Sequence, residues 1–124
     1  MEFKIDTKPS HIVITPVSGY LDANLAAMLR QKCIELTENG SENYIIDLHN
    51  CLDADARCFH ILTELHEDCY SNNCSLVFTN VRELVMQELR KDETDSALNI
   101  TPTMQEAIDI VSMEILERDL FDED

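Results

Sequence analysis

Apolar residues recur along this chain with two periods, and the changes from one period to the other mark out its elements. Phe3-Lys-Ile5 and His11 to Ser18 read as two strands, with Lys8-Pro9-Ser10 as the turn between them. Pro16 cannot donate to a sheet ladder, so it marks the second strand as an edge or as reaching the end of its regular pairing. Beyond it the period lengthens. Leu25, Leu29, Cys33 and Leu36 form one helical stripe, Asp22 is placed to cap it, and Asn39-Gly40 ends it near Thr37. Asn43 to Leu48 is apolar at Tyr44, Ile45 and Ile46, which predicts a strand buried on both faces, as a central parallel strand is.

A strand-loop-helix junction follows, from Asp47 to Leu62. The spacing of Cys58, Ile61, Leu62, Leu65 and Cys69 predicts a helix that opens near Asp55 and closes near Ser71-Asn-Asn73. Glu64, His66, Glu67 and Asp68 fall on its solvated face. Ser75 to Phe78 is a short strand. Asn80 with Glu83 reads as a capping pair for a helix bearing Val81, Leu84, Val85 and Leu89. Ala97 to Ile100 reads as a last strand, and Thr103-Met-Gln-Glu106 as a capping box opening a helix with Met104, Ala107, Ile108, Val111 and Ile115 inward. The order β-β-α-β-α-β-α-β-α calls for one α/β domain, with a mixed, mostly parallel sheet of four to five strands and about four helices packed on it.

Composition narrows the function classes. A chain of 124 residues supports one domain with a real core, and its hydrophobic fraction of 44% is that of a globular protein. We expect the domain to span 1–116, followed by an acidic tail at 117–124; Glu114 to Asp124 carries six carboxylates against Arg118. The net charge of −16 repels nucleic acid and anionic membranes, so neither is an expected partner. No apolar run approaches the roughly 18 residues that span a bilayer, and Met1 to Asp6 shows no leader, so a cytoplasmic location without membrane insertion is the expectation. Two glycines are too few for a Gly-rich phosphate loop.

Five cysteines, none in a C-x-x-C pair, read as reduced and mostly buried thiols. His49-x-Cys51 and Cys58-x-His60 flank the junction without the spacing of a zinc site, so no metal or other cofactor is expected. Catalysis would need a Cys/His dyad. Cys58 and His60, two apart on a helix, point in different directions, and the expected class is non-enzymatic.

Two local signatures inside this order resemble the STAS domain, the family of bacterial anti-sigma factor antagonists. Gly19-Tyr-Leu-Asp22 is similar to that family's G-x-L-D loop before the first helix. Asp47-Leu48, followed by Asp55 eight residues after Asp47, is similar to the region where the family carries D-S-S-G-L. The resemblance covers about residues 3 to 116. It implies a fold of this order and a serine or threonine, after the motif aspartate, that a partner kinase doubling as the anti-sigma factor phosphorylates.

Carried over residue by residue, Asp55 matches that aspartate, Ala56 stands at the phosphoacceptor, Arg57 replaces the second small polar residue and Cys58 replaces the glycine. No modification can occur at Ala56. A phosphate there would add about −1.5 to −2 charge beside Asp53 and Asp55, and alanine mimics the unmodified, binding state. The resemblance therefore implies a protein-binding module for a kinase-like anti-sigma factor, acting through the 49–60 junction without a phospho-switch. The contact set is Asp22, Asn50, Asp53, Asp55, Ala56, Arg57, Cys58 and His60, with Asp55 capping the helix and Ala56 exposed on its first turn. Arg57 either neutralises the neighbouring aspartates or pairs with a partner carboxylate. An accessory subunit binding the ATPase of a lipid transporter, a stress-signalling scaffold subunit, and a homodimer are the other expected roles.

Overall fold

Tyr44, Ile45 and Ile46 are all fully buried, although consecutive strand residues face opposite sides of a sheet. Both faces of that strand must therefore be covered. In the computed structural model, which describes residues 2–122, they are. The chain runs β1 (Phe3–Thr7), β2 (Ile12–Pro16), β3 (Tyr20–Leu21), α1 (Ala23–Glu38), β4 (Asn43–Asp47), β5 (Asp53–Ala54), α2 (Phe59–Ser71), β6 (Ser75–Thr79), α3 (Glu83–Lys91), β7 (Ile100–Thr101) and α4 (Met104–Asp122).

Five strands form one sheet in the order β1-β2-β4-β6-β7. β1 is antiparallel to β2, and the remaining pairs are parallel. This is the mixed, mostly parallel sheet with four helices that the periodicity predicts. β2 is not an edge strand, because β1 lies outside it; Pro16 simply closes its pairing, opposite Phe3. Two elements were not anticipated. β3 and β5 pair in parallel as a separate two-stranded ribbon, Tyr20 opposite Asp53 and Leu21 opposite Ala54.

Period-2 alternation divides the core into two layers. Ile12, Ile14, Tyr44, Ile46, Leu76 and Phe78 face α1, α2 and α3, meeting Leu25 and Leu29, Leu62 and Leu65, and Val85 and Leu89. Val13, Ile45 and Val77 face the other way and meet Ala107 and Val111 of α4. Burying each such side chain contributes about 1.5–3 kcal/mol. Arg30 of α1 reaches Glu64 at 2.8 Å and Asp68 at 2.6 Å on α2, an exposed pairing that contributes at most about 1 kcal/mol. Apolar packing decides the fold.

Helix ends follow the expected chemistry with one exception. Asp22 Oδ1 accepts from Leu25 N–H at 2.9 Å, and Gly40 takes φ +99° just past the end of α1, where a side chain would be strained. Thr103 Oγ1 accepts from Glu106 N–H at 3.2 Å. Asn80 does not cap α3. It sits at φ 56°, outside the helix, and donates to Asp47 Oδ1 at 3.2 Å, tying the ends of β4 and β6 together. Residues 95–97 form a tight turn rather than a strand, which narrows the last strand to Ile100–Thr101. His66, expected on the solvated face of α2, is half-buried against Tyr70, with ring centroids 4.7 Å apart. α4 continues through Asp122, so residues 117–122 of the expected tail are helical, and 123–124 lie outside the described residues.

Candidate docking face at the ribbon

The ribbon explains how two distant loops become one surface. Leu52 N–H donates to Gly19 O and Asp55 N–H to Leu21 O, both at 2.8 Å. These bonds bracket the β3–β5 pair and bring the G-x-L-D segment against the junction. Asn50 Nδ2 adds a bond to Pro16 O at 3.1 Å, and Cys51 Sγ one to Ser18 O at 3.4 Å. Leu21 and Ala54 turn inward and are buried, which anchors the ribbon on the core. Tyr20 and Asp53, at the same register, face solvent.

Asp55 caps the first turn of the following segment, but that turn is a short 3-10 turn, Ala56 to Cys58, which leads into α2. Its Oδ1 accepts from Arg57 N–H at 3.0 Å. Arg57 folds back on the same carboxylate, the arrangement that local neutralisation of the aspartates calls for. The guanidinium holds the Asp55 carboxyl below its ordinary range, chiefly through these side-chain hydrogen bonds.

The candidate contact residues separate into three groups. Asp53, Arg57 and His60 are exposed, and Asp22, Asn50 and Asp55 are half-exposed, each hydrogen-bonded in the loops apart from His60. Ala56 is half-buried and packs on the core instead of standing free on the turn. Cys58 is fully buried, its Sγ directed at Leu21 O at 3.7 Å, so it supports the loop from beneath and presents nothing outward.

Sequence patterning missed two exposed residues of the face. Tyr20 of β3 and Leu52, the residue before β5, are 45% and 55% exposed. Loss of hydration pushes the Tyr20 hydroxyl up in pKa, and the charges of Asp55, Asp53 and Asp22 add to this against Arg57. An aromatic residue at the variable position of a G-x-L-D loop, and a leucine inside a polar turn, were the available signals.

The chemistry of the thiols does not suit nucleophilic work. Burial pushes Cys51 up to about 11 and Cys58 up to about 12. Cys33, Cys69 and Cys74 line a cleft of about 250 Å³ between α1 and α2, and burial pushes Cys69 up to about 12. A thiolate is disfavoured at each of these positions. Among the described residues no group of three or more His, Cys, Asp or Glu is arranged to hold a metal ion, and no helix is long and apolar enough to cross a membrane.

Comparison with known proteins agrees with this architecture. An anti-sigma factor antagonist from Mycobacterium paratuberculosis superposes with a TM-score of 0.73 at 16% identity, covering 89% of this chain and 92% of that one. RsbS from Moorella thermoacetica gives 0.73 at 15% identity, over 95% and 99%. The murine solute carrier 26 family member A9 anion transporter gives 0.66 at 16% identity, over 84% of this chain and 18% of that one. In sequence, sulfate transporter 2.2 of Arabidopsis thaliana is 33% identical over 78 residues, which is 60% of this chain and 12% of the transporter. The STAS domain family model matches residues 3–107. That span takes in the whole five-stranded sheet, α1 to α3 and both strands of the ribbon, and the chain accordingly belongs to the STAS domain family.

Proposed function

We propose that this chain is a non-catalytic module that docks a partner protein on the ribbon face and holds it without a phospho-switch at Ala56. The observation that carries this reading is the exposure of Tyr20 and Leu52 on the two segments that the Leu52 N–H to Gly19 O bond joins, with Asp53 opposite Tyr20 in the ribbon and Asp22 and Asp55 directly after its two strands. Aromatic and apolar anchors inside a polar rim are the usual anatomy of a protein interface. The rim is acidic, with Arg57 already engaged by Asp55, so the complementary surface is apolar at its centre and basic around it. In line with the solved relatives named as anti-sigma factor antagonists, the partner is a kinase-like anti-sigma factor. The alanine keeps the face in the state that binds.

A second reading has its own support. The sequence match to a sulfate transporter favours a role in which the same face serves an anion transporter. The chain corresponds to 12% of that protein's length, so the rest of such an assembly would be supplied by other sequence.

Affinity capture from the host, with wild-type protein beside Tyr20→Ala and Leu52→Ala variants, tests both. Capture of a kinase-like ATPase, lost in both variants and unaffected by added ATP, is the expected result. Capture of a transporter in the same variant-sensitive way supports the second reading. A partner retained equally by all three proteins, or released by ATP through phosphate on another residue, would overturn the docking face or the absence of a switch.

A further inference from the structure

α4 lies on the opposite side of the sheet from α1, α2 and α3, and it is apolar on two sides. Its inner side packs Ala107 and Val111 on the sheet. Its outer side, over the C-terminal half, carries Met113, Leu116 and Leu120, which are 59%, 63% and 69% exposed. An apolar stripe on a helix is ordinarily covered by a neighbour. The spacing of the three is that of consecutive a, d and a positions of a heptad, the seam along which a second helix packs. Glu117 and Asp119 then occupy the flanking e and g positions and are exposed. Asp109 and Glu106 continue the same outward face toward the helix start.

The charge around the seam selects its occupant. Arg118 is the single cation of α4, and it points the other way, donating to Ser75 Oγ at 2.8 Å and bonding Asn43 Oδ1. It cannot neutralise the seam. A second copy of this chain would set Glu117 and Asp119 against their own kind, and like charges across an interface cost several kcal/mol. An anionic membrane is repelled for the same reason.

We propose that the outward seam of α4, Met113, Leu116 and Leu120, docks an amphipathic helix of a partner protein that carries Lys or Arg beside its apolar stripe. The surface is separate from the ribbon face, so one module could hold two proteins on opposite sides of its sheet.

The test uses a labelled synthetic helical peptide with Leu at its a and d positions and Lys at e and g, followed by fluorescence anisotropy on the full chain. Three results are expected together. Wild-type protein binds the peptide in a salt-sensitive way. Leu116→Ser with Leu120→Ser, which leaves the charge unchanged, weakens binding about tenfold or more. Glu117→Lys with Asp119→Lys transfers the preference to a peptide with Glu at e and g, a result that stands even if the serine pair folds poorly. No binding by wild-type protein, or binding unchanged in both variant pairs, overturns the proposal. So does a dimer of the protein alone that disappears in the serine pair, since the seam would then hold a second copy. Tyr20→Ala should leave peptide binding unaltered, which keeps the two docking readings separately testable.

Discussion

Arg57 lays its guanidinium along the carboxylate of Asp55, with Nε 3.0 Å from both oxygens and Nη2 2.6 Å from Oδ2. The pair closes on itself at the centre of the junction, and its main effect is local shape. The lowered pKa of Asp55 means that the folded state prefers the carboxylate. That contribution is present above the ordinary carboxylate range and disappears as pH falls through the lowered folded value. Asp55→Asn should therefore flatten the acid limb of a stability-against-pH curve followed by circular dichroism. An acid limb unchanged by the substitution would show that the pair does not hold the turn.

Asp22 ties the same surface to α1. Its carboxylate satisfies the Leu25 N–H that the first helical turn leaves free. Asp22→Ala should lower stability by about 1 kcal/mol in urea denaturation, whereas Asp22→Ser and Asp22→Asn should recover most of the loss, since both can cap. An alanine variant as stable as wild type would mean that other bonds of the ribbon set the start of the helix.

The Ala56 position separates binding from folding. Ala56→Ser adds a single hydroxyl at a half-buried site and should change stability by no more than about 0.5 kcal/mol, with partner binding retained. Ala56→Glu places a carboxylate beside Asp55 and Asp53 and should weaken partner binding about tenfold or more, by repulsion as well as bulk. Equal binding by the Ser and Glu variants, measured by calorimetry with the captured partner, would remove position 56 from the interface.

His66 should make the fold sensitive to mild acid. Burial against Tyr70 lowers its pKa, opposed in part by Glu114 and Glu67, and its Nε2 has no hydrogen-bond partner among the described residues. The folded state thus binds a proton less readily than the unfolded state does. Stability is complete above the ordinary histidine range, near pH 6.5, and declines as pH falls from there toward the lowered folded value. His66→Phe, which keeps the stacking, should reduce the slope of melting temperature between about pH 7 and pH 5. A slope that persists points to another group.

Much of this protein is legible without coordinates, because its main elements are long enough to show a period. Leu25, Leu29 and Cys33, like Leu62, Leu65 and Cys69, recur at helical spacing and are buried as that spacing requires. The run Tyr44-Ile-Ile46 could only be a strand covered on both faces, and it lies in the middle of the sheet. The G-x-L-D loop and the aspartate of the junction were recognisable as a pair.

What the pattern could not show are features whose cause lies elsewhere in the chain. A strand of two residues has no period, so the β3–β5 ribbon exists only because Leu21 and Ala54 find a common anchor in the core. Asn80 has the side chain of a helix cap, but it takes a left-handed conformation just after β6 and donates to Asp47 at the end of β4 instead. The same holds for Ala56, which the resemblance put at the surface and packing beneath the ribbon drew halfway in, whereas Cys58, on the stripe that helical spacing marked as inward, is fully buried. The residues alone determined the main elements, their order along the chain and the place of the loop. Which side chains of that loop face a partner was decided by the tertiary structure, because exposure depends on what the rest of the chain packs against each position.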